Sequence, residues 1–152
     1  PMNIKPILQS QYFASLAMLK QAVTKCSPEA WDNPRDKDRF WFVAYHTLFY
    51  AHRYLKAQGE GYVRWEGRRY EKPGSPFTKA EILERLAAVE SDVATQIPLM
   101  NLEAESSGLA NKFELQLYNI RHIQQHAGEL YERLSAYNVK LDWASQRHKE
   151  SK

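Results

Sequence analysis

One cysteine, Cys26, stands alone among 152 residues. No intramolecular disulfide can form, and such usage fits a reducing compartment such as the cytoplasm. Long apolar runs are also missing. The longest apolar stretch, FWFVAYHTLFYA from Phe40 to Ala51, is interrupted by His46 and Thr47. It falls short of the roughly 20 residues that a membrane-spanning helix needs. The opening PMNIKPILQS has no basic region followed by an apolar core, so no signal peptide is expected. Nor is there a marked excess of one charge: 21 Lys and Arg stand against 18 Asp and Glu. The cluster RWEGRRYEK mixes basic and aromatic residues, but the balance lacks the clustered excess that argues for nucleic acid. No strand-like alternation and no internal repeat is visible.

What the chain does have is helical periodicity. Its length suits a single domain over 1–152, large enough to bury one core without staples. Leu8, Tyr12, Leu16, Leu19 and Val23 recur at spacings of three and four and predict a first helix from Lys5 to Lys25. Ser27-Pro28-Glu29 pairs a cap with a proline at a first helical position and predicts a short helical turn, which Asn33-Pro34 ends. A second long helix is expected from Asp36 to Gln58, with Asp36 and Asp38 at its positive end. Its middle is apolar nearly all round, which predicts the most buried helix.

Residues 59–77 carry no periodic pattern and form a long connection, often a functional feature. They hold Tyr62, Trp65 and Tyr70 with Arg64, Arg68, Arg69 and Lys72. Thr78 and Glu81 then form a capping box, with Phe77 and Ile82 placed as a hydrophobic staple. Ile82, Leu86, Val89, Val93 and Ile97 mark the buried face of a third long helix, which Pro98 closes. A fourth runs from Leu109 or Asn111 to Tyr137, with Phe113, Leu117, Ile120, Ile123, Ala127, Leu130 and Leu134 as its stripe. From Asn138 the tail is polar apart from Leu141 and Trp143 and is expected to fray at its end. Four long helices predict an all-α four-helix bundle. Short links make the first and last pairs antiparallel. The long crossover allows the second and third helices to run parallel, in up-down-down-up order.

The chemistry concentrates in NIRHIQQHAGEL. His122 and His126 are four apart, so they lie about 40° from each other on one helix face. Two imidazoles so placed can converge on one metal ion, and two hydrogen-bonded histidines explain the pattern equally simply. His46 adds weight, because a polar residue inside an apolar helix must be satisfied by something. Either a carbonyl or hydroxyl serves it, or it faces His122 and His126 across the bundle. Three histidines from two helices would leave positions open, as catalytic metal sites do. His52, about 120° around the helix from His46, reads as a rim or surface residue, and His148 falls in the polar tail. Cys26, at a helix C-terminus, is not expected to act as a nucleophile.

The segments FWFVAYHTLFYAHRYL, PFTKAEILERL and LYNIRHIQQHAGELYERL together resemble the DinB/YfiT-like family. The resemblance covers nearly the whole chain. It implies an up-down-down-up four-helix bundle, a homodimer, and a divalent metal held by His46, His122 and His126. Zn or Ni leads, with Mn or Fe as further candidates. It also implies a small-molecule substrate and, in some members, transfer or isomerisation with a low-molecular-weight thiol (bacillithiol, mycothiol or glutathione). Tyr50 and Arg53 follow His46 by one and two turns, and Asn119 and Glu129 flank the histidine pair; these four are pocket candidates. The 59–77 segment could then close as a lid, with Arg64, Arg68 or Arg69 meeting an anionic group. Two function classes follow: a metal-dependent transferase or hydrolase, and a non-catalytic metal-binding, sensor or stress-related binding protein.

Overall fold

The computed structural model describes residues 1–56, 62–65, 76–143 and 146. Within them the chain forms α1 (Ile4–Lys25), α2 (Pro28–Trp31), α3 (Phe40–Lys56), α4 (Lys79–Leu99) and α5 (Lys112–Ser135), and no strand. None of these helices is long and apolar enough to cross a membrane. The four long helices share one core. α1 packs against both α4 and α5, and α3 packs against the same two from the other side.

Contacts between helix ends give the relative directions. Lys5 Nζ donates to Pro98 O at 2.7 Å, while Lys79 Nζ reaches Thr24 O at 3.0 Å, so α1 and α4 are antiparallel. Tyr12 meets Gln116 and Met18 meets Gln124, so α1 and α5 are parallel. Tyr54 meets Gln116 and Ala51 meets Asn119, so α3 and α5 are antiparallel.

Local chemistry explains most boundaries. Ser27 Oγ accepts from Ala30 N at 3.2 Å and opens α2. At α4 both arms of the capping box form: Glu81 N donates to Thr78 Oγ1 at 3.2 Å, and Thr78 N to Glu81 Oε2 at 2.8 Å. Phe77 and Ile82 are fully buried beside it, as a staple requires. Pro98 does not stop α4 at once; the helix runs on to Leu99. Having no N–H, Pro98 leaves Ala94 O without its usual donor. Gln9 Nε2, from α1, lies 3.5 Å from Ala94 O and 3.3 Å from Val93 O. After α5, Asn138 takes a left-handed conformation (φ 58°) and Val139 N bonds back to Leu134 O at 3.2 Å, closing a Schellman-type cap.

Two expectations are corrected. α3 begins at Phe40, not Asp36. Arg39 instead donates to the carbonyls of Asn33 and Asp36 and holds the preceding residues in a turn. The first residues of the tail are bonded to α1: Lys25 Nζ bonds Lys140 O at 2.8 Å, and Asp142 N donates to Gln21 Oε1 at 2.6 Å. The expected fraying at the end of the tail falls on residues 144, 145 and 147–152, His148 among them, which lie outside the described residues. The second correction concerns His52, which is buried rather than a rim residue. Its Nδ1 is 2.7 Å from Asp92 Oδ2 on α4, and its Nε2 is 3.1 Å from Val63 O. Trp65 stacks on the ring at 4.3 Å, and Lys56 Nζ lies 3.5 Å from Asp92 Oδ1.

Asp92 is thus a buried acceptor for His52 and Lys56. Removing it leaves the buried His52 Nδ1 without a partner. Asp92→Ala is expected to destabilise the fold by about 1–3 kcal/mol. Thr78→Ala, which removes only a surface cap, should cost about 1 kcal/mol. Urea denaturation of the two variants beside the parent checks both values.

Candidate metal centre

Two side-chain amides set the register of α5 on α3. Gln116 Nε2 donates to Tyr54 O at 3.3 Å and Asn119 Nδ2 donates to Ala51 O at 3.2 Å, both acceptors being on α3. In each pair the residue numbers add to 170. His46 therefore comes opposite position 124, midway between His122 and His126. The ring centroids confirm the placement: His46 is 5.3 Å from His122 and 5.2 Å from His126, and the latter two are 4.6 Å apart. One nitrogen from each ring lies within 4.8 Å of the others, so the three can hold a metal ion. Among the described residues no further His, Cys, Asp or Glu joins the group.

The donor atoms fit an ion. His122 Nε2 and His126 Nε2 face each other at 3.1 Å, where two bare lone pairs would repel unless a proton or a cation stands between them. His122 Nδ1 is buried and has no hydrogen-bond partner among the described residues, so the ring's polar contact is made through Nε2.

Burial disfavours the charged form of two of the three histidines. Burial pushes the His122 pKa down to about 4, helped by the neighbouring His126 and His46. Burial and then His126 lower that of His46, against the opposing pull of Asp38 and Glu129. His126 is held differently. Its Nδ1 is 3.0 Å from Glu129 Oε2, which assigns the N–H to Nδ1 and leaves Nε2 free to face the site. Glu129 Oε1 is itself bonded to Arg133 Nη2 at 2.5 Å. Arg133 then reaches Asp38 O and lies 3.8 Å from Asp36 Oδ2. Burial alone would raise the Glu129 pKa, but the bonds from His126 and Arg133 outweigh it and the net shift is downward.

Of the four pocket candidates, the structure brings two to the site. Glu129 orients His126, and the Tyr50 ring lies 4.9 Å from His46 and 6.0 Å from His122. Arg53 is exposed. Asn119 is fully buried and is spent on the Ala51 carbonyl. Sequence reasoning missed Tyr118, which stacks on His122 at 6.1 Å, and Tyr54, which is 5.7 Å from both Tyr50 and Tyr118. The spacing held a signal, since Tyr118 precedes His122 by four residues and Tyr50 and Tyr54 follow His46 at the same step. Arg133, Asp36 and Asp38 were not legible as parts of one network.

The described residues 62–65 of the connecting segment sit elsewhere. Trp65 stacks on His52, the Tyr62 ring is 5.4 Å from it, and Arg64 lies over Phe49. Arg68, Arg69, Tyr70 and Lys72 are outside the described residues. Cys26 is buried, with its thiol pKa pushed up to about 12 by burial, so it stays protonated at neutral pH.

Compared with protein-family models, curated proteins and solved structures, the chain matches none.

The depressed histidine values carry a sign. Unfolded, His122 takes a proton near 6.5; folded, it does so only near 4. Between those values the unfolded chain binds more protons, so metal-free protein should lose stability as pH falls from 6.5 toward 4. Above 6.5 this contribution is fully present. Thermal midpoints against pH should show a shallower acid limb for His122→Ala than for the parent.

Proposed function

We propose that the chain is a metal-dependent enzyme in which His46, His122 and His126 hold one divalent ion. Zn or Ni leads, with Mn or Fe as further candidates, because neutral imidazoles suit transition metals. One observation carries the reading: three half-buried imidazoles from two helices meet with donor atoms within 4.8 Å, and no fourth protein ligand among the described residues closes the group. A structural site would be closed by a fourth ligand, whereas an open one leaves room for a reactant.

The DinB/YfiT-like assignment, with its up-down-down-up order, is part of the proposal. The pairing of helix ends and the histidine spacing support it. A divalent ion at this position would supply the charge that acidifies a water or a thiol. The chain's own groups do the rest. Glu129 fixes the tautomer and plane of His126, and Arg133 holds Glu129 in place. Tyr50, Tyr54 and Tyr118 form an aromatic wall beside His122 that would shield and orient a small substrate. Cys26, buried and protonated, offers no nucleophile, so a thiol reaction would draw its sulfur from a low-molecular-weight cosubstrate, as in the bacillithiol-, mycothiol- or glutathione-dependent members. Such thiols suit a cytoplasmic setting.

Elemental analysis of protein purified without a histidine tag tests the reading. Near one metal per chain is expected, lost in a folded His122→Ala/His126→Ala variant. Glu129→Gln should weaken the metal by about 10–100-fold while leaving the fold intact. No metal in the parent, even after incubation with Zn, Ni, Mn or Fe, would reduce the three histidines to packing. Metal without turnover across thiol cosubstrates and hydrolysable esters would favour a binding or sensor role.

A further inference from the structure

Of the seven large apolar side chains exposed among the described residues, five line one groove of about 800 Å3 between α1 and α5: Met2, Ile4, Ile7, Leu117 and Trp143. The exposure of Leu117 corrects the expected α5 stripe. At the start of α5 it is Gln116 and Asn119 that turn to the core, while Leu117 is 47% exposed. Trp143, 68% exposed, stands on the segment that Lys25 and Gln21 hold along α1. The groove and the histidines occupy different flanks of α5. Leu117 and Gln124 line the groove, whereas His122 and His126 meet His46 of α3.

The dimensions of the groove select its occupant. From Ile4 to Met18, α1 rises about 21 Å at 1.5 Å per residue. Spread over that length, the volume gives a section of about 38 Å2, about 6 Å across. A partner helix, about 10–12 Å in diameter with its side chains, is too wide to enter it. One extended hydrocarbon chain is not. The volume also lies in the range of about 300–1,000 Å3 that small-molecule sites occupy.

Polarity changes along the length. Tyr12 is level with Gln116 and Met18 with Gln124, so the two walls can be aligned. At the Ile4 and Ile7 end the facing residues of α5 are Phe113 and Leu117, and the walls are apolar. At the Met18 end they are Arg121, Gln124 and Gln125. Arg121 carries the only charge of the lining. Its side chain is exposed and lies over the Tyr118 ring, and none of its five N–H donors meets an acceptor among the described residues. A narrow apolar channel that ends at one unpaired guanidinium is complementary to a molecule with an apolar chain and one anionic head.

We propose that the groove binds a free long-chain carboxylate, with its hydrocarbon chain between α1 and α5 and its head on Arg121. Burial of the chain supplies affinity in proportion to the apolar area covered. Arg121 supplies direction, since a guanidinium takes a carboxylate through two parallel hydrogen bonds. The site shares no residue with the histidine group, so it stands or falls apart from the metal reading.

Calorimetric titration of the full chain with laurate tests it, beside tryptophan fluorescence. One laurate per chain is expected, with Trp143 as reporter: Trp143→Phe should remove the fluorescence change and keep the heat. Myristate should bind about fourfold tighter, half the effect of fully burying two methylenes, because one side of the groove stays open. Arg121→Gln should weaken laurate by about tenfold and leave dodecanol as in the parent. Ile7→Glu and Leu117→Glu should abolish binding, and Leu99→Glu, exposed outside the groove, should not. All these positions are exposed, so helical circular dichroism and metal content should stay unchanged. No laurate bound at high micromolar concentration would overturn the proposal, as would binding indifferent to both groove variants or equal affinity for laurate and dodecanol in the parent. Binding to phosphatidylglycerol vesicles without binding of free laurate would overturn it in favour of a membrane surface. Self-association that laurate does not disturb and Leu117→Glu abolishes would overturn it in favour of a second copy of the chain.

Discussion

The register of α5 on α3 is the constraint from which the site follows. Hydrophobic contact alone is tolerant of sliding, because one turn of helix looks much like the next. Amide donors aimed at particular carbonyls are not. Gln116 and Asn119 reach Tyr54 O and Ala51 O, and a slip of one turn would leave buried amides unpaired. The same alignment brings His46 between His122 and His126 and puts Arg133 against the turn before α3. The centre is thus assembled by polar contacts about one to two turns along the helices from it.

Around the histidines the environment is divided. On one side are the rings of Tyr50 and Tyr118, packed beside His46 and His122, whose pKa values burial lowers. On the other is the chain from Glu129 through Arg133 to Asp36 and Asp38, which holds His126 by hydrogen bonds. Desolvation lowers the pKa of two of the imidazoles, and a carboxylate orients the third.

Much of this could be read along the chain. Stripes at spacings of three and four marked the four long helices, and the Thr78–Glu81 box marked a start to the residue. The four-residue step of His122 and His126, with a polar residue stranded in an apolar helix at 46, pointed to the three side chains that the fold brings together. What stayed hidden depended on partners distant in sequence. His52 looked like a rim residue because nothing near it announces Asp92, forty positions on. Gln116 drew no attention and Asn119 was read as a pocket candidate, because their acceptors are main-chain carbonyls of another helix. Counting apolar residues therefore assigned Leu117 to the core, where the amides in fact belong. Asp36 and Asp38 looked like helix-dipole partners, yet Arg39 and Arg133 compete for that turn more strongly than an uncapped helix end does.

The mended carbonyl near Pro98 bears on the order in which the chain folds. A helix normally closes its own turns as it forms, within microseconds and without help from elsewhere. At the end of α4 the donor that proline cannot supply comes from Gln9, eighty-five residues earlier. Lys5 then caps the Pro98 carbonyl from the same side. That final turn is tertiary structure in helical form. It has to wait for α1 to dock, so the two ends of α4 mature at different times: the capped N-terminus on its own, and the C-terminus only when the bundle closes.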